Sequence, residues 1–174
     1  NVGRGSTDTE LPADQHAARM FETQHNTWVL QPLLQGTYPS ALFEQLWPGA
    51  EPLVLDGDMA IISQPLDFLG INYYSRGTVR SNGAGGFVAV ERADVERTQM
   101  GWEVYPQGLE DLLRQFKADY PTLPPIFITE NGMSSDDKVE GGRVDDVQRQ
   151  SYLQRHFAAV SRAIDAGVDV RGYY

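Results

Sequence analysis

The chain has 174 residues, 41% of them hydrophobic, enough for one domain of ordinary size with a real core. Its formal net charge of -10 argues against nucleic acid and anionic membranes as partners, since both want basic patches. There is no cysteine, hence no disulfide and no thiolate metal site, and no apolar run approaches the roughly 18 residues of a membrane span. A reducing compartment fits, and a cytoplasmic location is expected.

Residues 1–12 are rich in Gly, Thr and charge and read as loop. Asn1-Val2-Gly3-Arg4-Gly5 has neither a Met nor the apolar stretch of a signal peptide. Residues 14–29 read as a helix, with Ala17, Ala18, Met20, Phe21 and Trp28 at roughly three-to-four spacing. Gln31-Pro32 is expected to end or bend it. Residues 40–47 open with a cap-like Ser40 and suggest a short helix closed by Pro48-Gly49. Residues 58–62 suggest another.

Asp67-Phe68-Leu69-Gly70-Ile71-Asn72-Tyr73-Tyr74 reads as a strong strand. Residues 78–80 and 87–90 suggest a hairpin around Ser81-Asn82-Gly83-Ala84-Gly85-Gly86. Residues 108–119 form a helix with Leu109, Leu112, Leu113 and Phe116 on one face. A second strand over residues 124–129 delivers Glu130 to its C-terminal end. A polar loop over residues 134–142 precedes a long helix over residues 146–166, with Tyr152, Leu153, Phe157, Val160 and Ile164 facing inward. Gly167 stands at the expected C-cap, and a last strand begins at Val168. Two successive βα units with buried, non-alternating strands imply a parallel sheet; a barrel and a doubly wound sheet both fit. The first and last residues both suggest a piece of a longer protein.

Ligands of α/β proteins collect at the C-terminal ends of strands, where Glu130 lies. It serves either as a structural ion pair or helix cap, or as a working carboxylate. Asn131-Gly132 behind it favours a tight left-handed turn. Asn72 and Tyr74 share a strand face opposite to Tyr73, within reach of a carboxylate on a neighbouring strand. Trp102, in Met100-Gly101-Trp102-Glu103-Val104-Tyr105-Pro106, offers an aromatic platform for a sugar face, or closes a helix–strand interface. The glycine-rich segment at 83–86 opens no helix and makes a poor phosphate loop. His16, His25 and His156 have no ligand spacing, and His156 reads as a satisfied packing residue. Asp56-Gly57-Asp58 lacks the remaining ligands of a calcium loop, and Asp136-Asp137 and Asp145-Asp146 read as solvated charges. No cofactor and no metal is expected.

These segments together resemble the family 1 glycoside hydrolases, the β-glucosidase group. Ile128-Thr129-Glu130-Asn131-Gly132 is similar to the family's nucleophile signature, and residues 67–74 to its sixth-strand motif. Residues 100–106 resemble the stretch whose Trp lines the aglycone side of the cleft. Residues 28–39 are similar to the family's Trp…Pro…Gly…Tyr-Pro connector. Gly142-Arg143-Val144 with Asp146, Arg149, Tyr152, Leu153 and His156 resembles the helix after the nucleophile strand. The resemblance implies a partial (β/α)8 TIM barrel, α/β in class. This chain would supply roughly βα units 6 and 7, the preceding helix and the start of strand 8. Residues 1–174 would be the C-terminal part of a single catalytic domain.

It further implies retaining hydrolysis of terminal β-D-glycosides or oligosaccharides. Glu130 would be the nucleophile, Tyr74 its orienting hydrogen-bond partner, Asn72 part of the surrounding polar network and Trp102 the aglycone face. The family's acid/base glutamate lies in a Thr-(Leu/Phe)-Asn-Glu-Pro motif, and no Asn-Glu-Pro occurs here. Gln31 stands where the family more often has Asp. The acid/base and the rest of the barrel would come from sequence outside this chain or from another chain. The isolated chain is expected to be inactive. A non-catalytic carbohydrate-binding or assembly protein on a barrel scaffold is the alternative, and a nucleotide-dependent α/β enzyme a distant third.

Overall fold

A computed structural model describes residues 2–7 and 9–174. The elements run β1 (Gly5–Ser6), α1 (Pro12–Glu22), a π-helical turn (Thr23–Thr27), α2 (Trp28–Gln35), a second π turn (Leu42–Leu46), a 3-10 turn (Glu51–Leu53) and α3 (Asp58–Ile62). Then follow β2 (Leu69–Asn72), β3 (Gly77–Ser81), β4 (Phe87–Ala89), α4 (Pro106–Asp119), β5 (Ile126–Glu130), β6 (Val139–Glu140), β7 (Arg143–Val144), α5 (Val147–Asp165) and β8 (Val170–Tyr173).

The centre is a parallel sheet in the order β2-β5-β8. Each crossover carries one helix, and α4 packs on α5. Leu69, Ile71, Ile126 and Ile128 alternate along β2 and β5 and are buried together with Leu109, Leu112, Leu113 and Phe116 of α4. The predicted stripe of α4 is therefore its packing face. Fully burying each such side chain stabilises by about 1.5–3 kcal/mol relative to leaving it in water.

The strands depart from the non-alternating burial read from sequence. Only the helix-facing side is covered: Gly70 and Thr129 are exposed, and Phe68 stacks edge-on against Phe127 at 5.2 Å on the open side. Among the described residues that second face stays open, with Phe68 53% exposed.

Other boundaries also shift. Pro32 neither ends nor breaks its helix, because α2 begins at Trp28 and Pro32 lies in its second turn. The helix stops instead at Gly36, whose φ of 68° no side-chain-bearing residue adopts cheaply. Ser40 provides no cap, and within the 40–47 segment Leu42–Leu46 winds as a π turn. The N-terminal segment read as loop contains β1, which pairs in parallel with β3. The polar loop after β5 contains the small β6–β7 hairpin. On α5 the buried face is Tyr152, His156, Ala159, Val160 and Ala163. Phe157 (50% exposed) and Ile164 turn outward, contrary to expectation. Gly167, with φ 85°, closes α5 as predicted.

Candidate active site

Three loops meet at the C-terminal rim of the sheet. Glu130 ends β5, and a register shift between Ile71 and Asn72 sets Asn72 directly opposite it. Such an irregularity re-aims the side chains beyond it. Two residues further on, the Tyr74 hydroxyl donates to Glu130 Oε2 at 2.5 Å. The bond to Glu130, then burial and the Glu130 charge, push the Tyr74 phenol above the ordinary tyrosine range. Tyr74 therefore stays a proton donor through neutral pH.

Among the described residues Asn72 makes no hydrogen bond to Glu130. Its Oδ1 accepts from the Thr129 hydroxyl at 2.6 Å. Tyr73 points the other way, fully buried, and donates to the Tyr105 carbonyl at 2.7 Å.

Trp102 is 40% exposed, and its ring lies 5.2 Å from that of Tyr74. It is thus no plug in a helix–strand interface. Its loop is tied on both sides. Arg76 grips Glu103 with two bonds of 2.8 and 3.0 Å and lies over the Tyr105 ring at 3.7 Å. Both partners are only 11% exposed. Burial alone would lower the Arg76 pKa, but the bonds to Glu103 outweigh it and hold the guanidinium firmly charged. The Gln99 and Met100 amides donate to the carbonyl and hydroxyl of Ser134, in the loop after Glu130. The Trp102 loop thereby joins the Tyr74 and Glu130 loops in one rim. An apolar cavity of about 210 Å³ lies beside Tyr74 and Trp102, walled by Phe21, His25 and Gly77.

The sequence reading missed Asn131. Gly132 has no positive φ, so the expected left-handed turn is absent. The Asn131 side chain holds the loop instead. Nδ2 donates to the Tyr73 carbonyl at 2.6 Å and to the Tyr152 hydroxyl at 3.0 Å, and Oδ1 accepts from the Tyr173 hydroxyl. Behind it Tyr152 stacks on His156 at 3.9 Å, and burial pushes its phenol up to about 12. Among the described residues no group of three or more His, Asp or Glu gathers to hold a metal.

Residues 5–174 match the family model of glycosyl hydrolase family 1. The chain belongs to this family. Among its relatives, a bifunctional β-D-glucosidase/β-D-fucosidase of Bifidobacterium breve is 38% identical, aligned over 99% of this chain and 40% of that protein. A 6-phospho-β-galactosidase of Clostridium acetobutylicum is 31% identical over 95% of this chain and 41% of its own length. The crystal structure of the family 1 β-glucosidase from Exiguobacterium antarcticum B7 superposes with a TM-score of 0.92 at 35% identity, covering 100% of this chain and 40% of that one. The chain thus spans about two fifths of the relatives it matches. The parallel sheet of this family 1 chain is a segment of a (β/α)8 barrel and is not closed on itself. The choice left open between barrel and doubly wound sheet falls to the barrel.

Proposed function

We propose that this chain carries the nucleophile half of a retaining β-glycosidase site. Residues 1–174 form the C-terminal part of one catalytic domain. Glu130 attacks the anomeric carbon and forms a glycosyl ester while the glycosidic oxygen departs. A second carboxyl group, about 5–5.5 Å away in such enzymes, protonates that oxygen and later deprotonates the water that cleaves the ester. This acid/base belongs to the remainder of the barrel, since no Asn-Glu-Pro motif occurs in this chain.

The observation that carries the reading is the 2.5 Å bond from Tyr74 to Glu130 Oε2. The donor anchors the carboxylate at the rim, as a nucleophile requires. It also fixes one oxygen and leaves Oε1 to attack. Trp102 borders the same rim and serves the aglycone, while Asn72 orders the polar surroundings through Thr129. The glycosidase names of the relatives support a β-glycoside substrate.

Glu130→Gln in the complete barrel tests this. The amide is isosteric but a poor nucleophile. Hydrolysis of an aryl β-D-glucoside is expected to fall by several orders of magnitude with sugar binding retained. Unchanged hydrolysis would sink the assignment, and sugar binding without hydrolysis in the parent protein would favour a non-catalytic carbohydrate binder.

A further inference from the structure

Asn131 stands between Glu130 and three other elements. The last rung of the β2–β5 ladder runs from the Tyr73 amide to the Glu130 carbonyl at 3.0 Å. One residue on, the Asn131 side-chain amide takes the place of a backbone N–H and donates to the Tyr73 carbonyl. Tyr74, the next residue of that same strand end, donates to the Glu130 carboxylate. Residues 73–74 and 130–131 therefore close a ring of three hydrogen bonds. The geometry of the Tyr74–Glu130 pair depends on the other two.

The far side of Asn131 is held as well. Oδ1 accepts from Tyr173 of β8, and Nδ2 also meets the Tyr152 hydroxyl of α5. The Tyr152 ring stacks on the His156 ring, which is itself held because the Tyr152 carbonyl accepts from His156 Nδ1 at 2.8 Å. A primary amide offers two N–H donors and one acceptor oxygen, and all are engaged here. Asp at this position would turn lone pairs toward the Tyr73 carbonyl, so only an amide fits the three partners.

We propose that Asn131, held by Tyr173 and Tyr152, is a positioning residue that sets the Glu130 carboxylate against the Tyr74 hydroxyl and the anomeric carbon. This rests on the reading of Glu130 as nucleophile. Displacing a reacting atom by about 1 Å costs on the order of 10²-fold in rate.

The test uses the complete barrel, a chromogenic aryl β-D-glucoside, and a fluoroglucoside inactivator with an activated leaving group. In the inactivation a Glu130 oxygen bonds the anomeric carbon and the leaving group departs with the old bond's electron pair, needing no added proton. In Asn131→Ala, kcat is expected to fall about 10²-fold with KM within about twofold. Labelling should still reach one per site, but slowly. Asn131→Ala/Tyr173→Phe should be no worse than Asn131→Ala, because the two act as one unit. Wild-type kcat in Asn131→Ala overturns the inference. So does wild-type labelling rate at reduced stoichiometry, which marks a loss of folded protein and not of position. If Asn131→Ala does not fold, Tyr173→Phe and Tyr152→Phe decide: slowed labelling supports the inference, and wild-type rates in both overturn it. Hydrolysis retained in Glu130→Gln brings down the nucleophile reading and this inference together. Hydrolysis lost there but intact in Asn131→Ala brings down this inference alone.

Discussion

Tyr74 shows how a single hydroxyl links the strand pattern to the chemistry. Its place on one face with Asn72 followed from the two-residue period of a strand, and both lie at the rim beside Glu130. What the period could not say is that only Tyr74 reaches the carboxylate, because a register shift at Asn72 re-aims the chain end. Removing the hydroxyl in Tyr74→Phe should lower kcat/KM by about 10-fold. That is the low end for a hydrogen bond to a charged group, since Glu130 is exposed in this chain. The phenol itself offers a second readout. Its pKa is raised chiefly by the bond to Glu130, so in Glu130→Gln the Tyr74 phenolate should form at lower pH than in the parent. Ultraviolet difference titration of both proteins, with Tyr74→Phe as the blank, measures this. Asn131 was illegible at this scale: an Asn-Gly pair is a turn signal, and only the three partners around it reveal a clamp.

At the scale of elements, α4 and α5 differ in what their sequences disclose. The α4 stripe of Leu109, Leu112, Leu113 and Phe116 is unambiguous because every large apolar residue lies on one face. In α5 the large residues mislead. Phe157 and Ile164 lie off the buried stripe, and Ala159 and Ala163 occupy it. Small residues there admit close packing, while Phe157 finds its own partner in the Tyr173 ring at 4.7 Å. His156 is only half satisfied. Nδ1 bonds the Tyr152 carbonyl, but Nε2 is buried without a hydrogen-bond partner among the described residues. Burial, with some help from nearby Arg155, lowers its pKa from 6.5 to about 4. Between these values the unfolded chain takes up a proton that the folded chain refuses. Above 6.5 the neutral ring carries no such cost, and as pH falls toward 4 the folded state loses about 3 kcal/mol relative to the unfolded chain. Denaturant titrations of the complete barrel across that range should show this slope in the parent and a shallower one in His156→Leu. Equal slopes would mean that His156 takes up its proton as readily in the folded chain as in the unfolded one.

The whole molecule is defined by an unfinished sheet. One face of β2-β5-β8 is sealed by helices, while Phe68 and Thr129 look out from the other. Outer strands and an uncovered apolar face invite association. Residues 1–174 prepared alone should therefore bind a hydrophobic dye, sediment as heterogeneous species and hydrolyse no glucoside. Mixing with the complementary barrel segment should restore activity. A cooperative, glucoside-cleaving monomer of 174 residues would refute this.

Hydrophobic period, the Gly167 cap and the ordered motifs determined the parallel α/β class, the family and the rim residues Glu130, Tyr74, Asn72 and Trp102. These rest on local spacing, which one chain carries by itself. The tertiary structure alone decided which rim atoms touch: Tyr74 on Glu130, Asn72 on Thr129, Asn131 between Tyr73, Tyr152 and Tyr173. Those contacts join residues 21 to 58 positions apart in the chain, and hydrogen bonds over such spans depend on strand register and helix docking, which no local spacing encodes.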